Sequence, residues 1–190
     1  LVTGARVTTP GGSWVVERVS AAARTEADRV ELERLEVQAL GAWAQVRGHL
    51  QLTEAWPFSA ELQWRGELPG TGPIAGQGRA EGSLAGVSFE HRVSRPFDLT
   101  TDGRVDLGER PRLTLSGAWI GARWPLQGEP VVRSGTGSLR LNGPFDVLEL
   151  SARAELEGPD LPPTDLELSG LIGAERLSDL AMAEIPVEPK

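Results

Sequence analysis

Histidine and the carboxylates are the side chains here that could do chemistry, and their spacing gives them little to work with. Both histidines fall on positions read as polar in strands, His49 between Gly48 and Leu50, and His91 beside Glu90. There is no cysteine, so there is neither a disulfide framework nor a thiolate zinc site, and two isolated histidines do not make a zinc or copper constellation. Asp98, Asp102 and Asp106 recur every fourth residue, which calcium coordination could use, but they alternate with apolar strand positions and read as a solvated face. Gly76-Gln77-Gly78-Arg79-Ala80-Glu81-Gly82 resembles a dinucleotide loop, yet its third glycine comes one residue late and no long helical pattern follows. In Gly82-Ser83-Leu84-Ala85-Gly86 the serine is one place early for a nucleophile elbow. No catalytic, metal or cofactor site is read, and the chain is not expected to be an enzyme.

The apolar residues carry the clearer signal. Gly137-Ser138-Leu139-Arg140-Leu141 alternates apolar with polar, the period of a strand with one face in water. The same device recurs as Gly48-His49-Leu50-Gln51-Leu52 before Trp56-Pro57, and as Gly103-Arg104-Val105-Asp106-Leu107 after Pro96. Proline cannot donate to a strand ladder, so Trp56-Pro57 and Trp124-Pro125 are expected at strand starts or corners.

Taken in order, residues 1–9 and 13–23 read as a hairpin around Pro10-Gly11-Gly12. Residues 21–40 are rich in helix formers, but Val30 and Leu32, then Leu35, Val37 and Ala39, alternate with polar residues. One bulge near Glu33-Arg34 would keep them on a single strand face. Strands are expected at 42–52, 59–65, 87–93, 97–107, 112–119, 136–141, 145–157, 164–169 and 177–183. The glycine-rich stretch 68–86 is expected to hold only short or twisted strands and to be a place where the sheet bends. Residues 159–163 read as a turn. Trp64 falls on the apolar face and Trp43 on the polar one.

Composition sets outer limits. The net charge of −8 argues against nucleic acid and anionic membrane surfaces as partners, since both select a basic patch. The 23 glycines and 14 prolines imply many short turns. No window of about 18 apolar residues exists, and the first residues have neither a basic region nor an apolar run, so the chain reads as a segment of a longer one. No linker divides it, and residues 1–190 are treated as one unit.

Trp119-Ile120-Gly121-Ala122-Arg123-Trp124-Pro125-Leu126, then Ser134-Gly135-Thr136-Gly137-Ser138-Leu139, then the run from Leu161-Pro162-Pro163 to Leu168-Ser169-Gly170 resemble repeats of the TamB family, within the wider AsmA-like group. The order from Val30 through Gly48 and Leu50 to Trp56-Pro57 and Trp64 fits the same family. The resemblance implies an all-β fold of about a dozen strands, a long, mainly antiparallel sheet curled lengthwise into an open groove (a β-taco). It further implies an inner-membrane-anchored periplasmic protein that conducts phospholipids between the inner and outer membranes with a TamA-type barrel. Phospholipid acyl chains would be the partner of this segment, with TamA docking left to other parts of the full-length protein. The groove lining would then be Leu50, Leu52, Leu62, Trp64, Val105, Leu107, Leu113, Leu115, Leu139, Leu141, Leu148, Leu150 and Leu156. Two readings compete: a module that assists outer-membrane protein assembly by strand addition, and a closed β-sandwich that binds through its loops.

Overall fold

A computed structural model describes residues 2–9, 12–68, 70–173 and 177–186, with side chains described for 16–67 and 70–173. It contains thirteen strands: β1 (Val2–Thr9), β2 (Gly12–Glu26), β3 (Arg29–Ala39), β4 (Ala42–Gln51), β5 (Phe58–Leu68), β6 (Gly72–Ser83), β7 (Gly86–Arg95), β8 (Asp98–Asp106), β9 (Arg112–Trp124), β10 (Val132–Pro144), β11 (Val147–Gly158), β12 (Leu161–Gly173) and β13 (Leu177–Pro186). They form one sheet in which spatial order equals sequence order, every pair is antiparallel, and β1 and β13 are the two ends. The sheet is open.

Local chemistry accounts for most boundaries. The stretch 21–40 is β-structure, as the alternation indicates, and the register shift between Leu32 and Leu35 is the expected bulge at Glu33-Arg34. It is not one strand, however: β2 turns into β3 at Ala27-Asp28, with Ala27 at φ 48. No glycine or proline marks that turn in the sequence. The strand β6 runs for twelve residues, so the expectation of short strands in 68–86 is corrected. The proline pair Pro162-Pro163 lies inside β12 instead of a turn. The ladder passes from Gly158↔Leu161 to Leu156↔Thr164, leaving both prolines without a pairing position and so without a donor to miss.

Among the described residues the sheet has no second layer. Among the described residues Val16 is the one apolar side chain below a tenth exposed. The total surface of 13128 Å² is about one and a half times that expected of a compact 20.3 kDa protein. Even so, one face is consistently less exposed than the other, as in the strictly alternating β11. Side chains half-buried with nothing packed over them are shielding each other, which is what inward curvature of that face produces. The β9–β10 loop also reaches across the β7–β8 turn, placing the Gln127 amide against Gly72 at the start of β6.

Strands run between two rims. The β3–β4, β7–β8, β9–β10 and β11–β12 connections lie on the first, and the β2–β3, β4–β5, β6–β7, β8–β9 and β10–β11 connections on the second. Along the second rim the turns are hydrogen-bonded to one another through their backbones. The N–H of Leu52 donates to Asp28 O (2.5 Å), Leu84 to Ala55 O (3.0 Å), Leu107 to Ala85 O (2.9 Å) and Phe145 to Pro111 O (3.2 Å).

An ion pair joins the last two of these turns. Arg110 Nη2 donates to Asp146 Oδ2 at 2.9 Å, and this bond holds the Asp146 carboxyl below its ordinary range. A carboxyl depressed on folding adds stability that is fully present above the ordinary carboxyl range and is lost as pH falls through its folded value. Both side chains are exposed, so the increment is small. In thermal unfolding, Arg110→Ala should therefore lower the midpoint slightly at neutral pH and leave it unchanged in strong acid. A difference that persisted in acid would show that Arg110 acts by some other route.

Candidate functional site

The register connects the half-buried face from strand to strand. One row runs Leu50–Phe58–Gly82–Val87–Val105–Leu113, a second Ala60–Ala80–Phe89–Gly103–Leu115–Leu141–Leu150, and a third Val46–Leu62–Gly78–His91–Thr101–Gly117–Leu139–Ala152. Of the thirteen residues expected to share a face, eleven do so on strands: Leu50, Leu62, Trp64, Val105, Leu113, Leu115, Leu139, Leu141, Leu148, Leu150 and Leu156. The other two, Leu52 and Leu107, lie just past the ends of β4 and β8 on the second rim, at 43% and 46% exposure.

Large residues on this face lie over glycines of the next strand. A Cβ on Gly76 would meet the Trp64 ring at 2.6 Å, one on Gly103 the Phe89 ring at 2.5 Å, and one on Gly137 the Trp119 ring at 2.0 Å. Three aromatic rings are thus laid flat on β6, β8 and β10, each from the strand before. Glycine weakens a strand by leaving backbone bare, and a ring placed over it restores both shielding and packing. That is why the glycine-rich β6 is a full-length strand.

Polar atoms on the face are turned to one another. Trp119 Nε1 donates to Ser134 Oγ (2.9 Å), which donates to Thr136 O (3.0 Å). Trp64 Nε1 donates to His91 Nε2 at 2.8 Å. The two rings are 7° from parallel with centroids 5.7 Å apart, so with this bond they lie edge to edge in one plane. The accepting Nε2 is unprotonated, which puts the ring proton of neutral His91 on Nδ1. His91 therefore belongs to the apolar face, correcting its reading as a polar-face residue. The pattern Val87, Phe89, His91, Val93 carried that information, and the neighbouring charges of Glu90 and Arg92 obscured it.

The opposite face is a solvated one. Arg79 pairs with Glu90 (2.7 Å), Arg92 with Asp98 (3.0 Å), Arg104 with Asp106 (2.8 Å) and Arg153 with Glu167 (2.8 Å), all exposed. Such pairs keep a surface in water and contribute little stability. Trp43 is on this side, its ring 5.0 Å from the Arg65 guanidinium. His49 is there too, with Nδ1 3.0 Å from Ser59 Oγ. Asp98 and Asp106 are taken up by arginines and Asp102 accepts from Ser116, so the structure does not bring the three together. Among the described residues no cluster of three or more histidine or acidic groups could hold a metal.

An open, single-layered antiparallel sheet with one apolar face is the geometry that the sequence resemblance calls for. The family model of the TamB N-terminal domain matches residues 2–181. The chain belongs to the TamB family. No curated protein and no solved structure matches it. For this TamB-family domain the candidate site is accordingly the apolar face itself, a surface spanning the sheet instead of a pocket with a reactive centre.

Proposed function

We propose that this face is a groove for phospholipid acyl chains, and that the domain is a periplasmic segment of an inner-membrane-anchored protein conducting phospholipids between the two membranes with a TamA-type barrel. The observation that carries the reading is an apolar face crossing the sheet with no protein layer over it among the described residues. An exposed apolar surface of this extent requires a cover. A strand spacing of about 4.8 Å over thirteen strands gives an axial length on the order of 60 Å, about four times the hydrocarbon depth of one leaflet.

The chemistry of the face suits movement. An acyl chain gains about 0.8 kcal/mol per CH₂ on leaving water. It arrives from a bilayer as apolar as a wall of leucine, so the exchange is close to neutral and the chain is free to slide. Internal pairing of Trp64 with His91 and of Trp119 with Ser134 leaves few polar groups to hold it. The sandwich reading lacks a second sheet among the described residues. Strand addition at the open edges is the rival, and it depends on backbone edges instead of on this face.

The test places a photoreactive side chain at Leu150, and separately at Glu149, in the full-length protein in cells, with mass spectrometry for lipid adducts. Lipid is expected at Leu150 and not at Glu149. Protein adducts alone, or none, at both positions would reject lipid conduction for this segment and favour strand addition.

A further inference from the structure

The second rim combines two properties that turns rarely share. One backbone donor in each of four turns is already bonded to the turn before, at Leu52, Leu84, Leu107 and Phe145. The donating residues are large, apolar and exposed, at 43%, 63%, 46% and 50%. Each also sits two residues beyond the last position of the apolar face on its strand, after Leu50, Gly82, Val105 and Gly143. The line they form is the continuation of that face past the strand ends.

We propose that this rim is an acyl-chain-binding lip along which hydrocarbon contacts the protein outside the strands, an inference that rests on the lipid reading above. Covering a turn with hydrocarbon ordinarily strands its free N–H groups away from water, and that cost keeps turns wet. Here those four donors are bonded to protein, so a sliding chain can cover the lip without leaving them unsatisfied. The same bonding argues against a polypeptide as occupant, because a strand adding at this rim would need the donors already used. The first rim offers no comparable line among the described residues. Its exposed large apolar residues, Leu40, Trp124 and Val131, belong to two separated connections, and the Val131 N–H bonds back into its own loop at Trp124 O.

The test uses a phosphatidylethanolamine with a diazirine at the end of one acyl chain, in vesicles with the full-length protein, illuminated and mapped by peptide mass spectrometry. Adducts are expected at Leu84, Leu107 and Phe145 as well as at Leu150, in excess of those at the first-rim turn 159–160. In the Leu84→Ser, Leu107→Ser double variant, whose changes fall on exposed turn tips, the rim adducts at positions 84 and 107 should be lost and those at Leu150 kept. Adducts at Leu150 with none on the rim, or with equal labelling of both rims, would overturn the lip and leave the groove standing. Undiminished labelling at positions 84 and 107 in the double variant would also overturn it. Absence of adducts at Leu150 and the rim together would remove both readings.

Discussion

Gly137→Ala should be among the most damaging single-methyl changes in this protein. The added Cβ would fall 2.0 Å from the Trp119 ring, so the indole must leave its place over β10 and give up its bond to Ser134. Overpacking of this kind and one lost hydrogen bond together cost about 2–4 kcal/mol. For a chain of this size that is a fall of roughly 5–15 °C in the thermal midpoint. Two residues away, Gly135 meets nothing closer than a Glu155 carboxylate oxygen at 3.6 Å, and Gly135→Ala should be nearly neutral. Calorimetry of the two variants checks the contrast. The mechanism is tested by repeating Gly137→Ala in a Trp119→Leu background, where the penalty should largely disappear; an undiminished penalty would mean the ring is not its source.

The second large effect concerns transport. Leu150 pairs with Leu141 on one side and Gly170 on the other, on the apolar face of β11, while Glu149 points to the opposite side. A carboxylate held against hydrocarbon costs several times the roughly 1.4 kcal/mol that corresponds to a factor of ten. Leu150→Asp should therefore reduce lipid transfer by the full-length protein about tenfold or more, and Glu149→Asp should leave it unchanged. Circular dichroism of both variants shows whether the sheet is retained. Equal transfer by two folded variants would count against a groove.

How far such a structure can be read from sequence depends on which distances matter. Alternation within a strand is local, and it was enough to place Leu139, Leu141, Leu148 and Leu150 on one face and to locate the bulge at Glu33-Arg34. The Ala27-Asp28 turn escaped because its left-handed residue is an alanine, and nothing in the side chain announces it. The placement of Trp64 over Gly76, and of Trp119 over Gly137, depends on register between strands, which periodicity along one strand does not contain. That register also explains why a glycine-rich stretch is a full strand, whereas the facing of His91 was present in the alternation of Val87, Phe89, His91 and Val93 and was obscured by its charged neighbours. Leu52 and Leu107 satisfied the alternation but lie past the strand ends, where parity alone cannot distinguish a wall from a rim. The proposed function was legible only through resemblance, since a surface for hydrocarbon would need no residue of distinctive chemistry.

Spatial order identical to sequence order has a consequence for how such a protein changes length. Each strand pairs with its predecessor and successor, so a hairpin can be inserted or removed by making one new seam, with no distant strand pairing to rebuild. Strands alternate in direction, so an odd insertion would exchange the two rims for everything downstream, and an even one would not. Spans of different reach are therefore accessible in steps of two strands, about 10 Å each. The same locality lets each hairpin close as soon as its second strand emerges, so a chain delivered from one end can assemble progressively without waiting for its last residue.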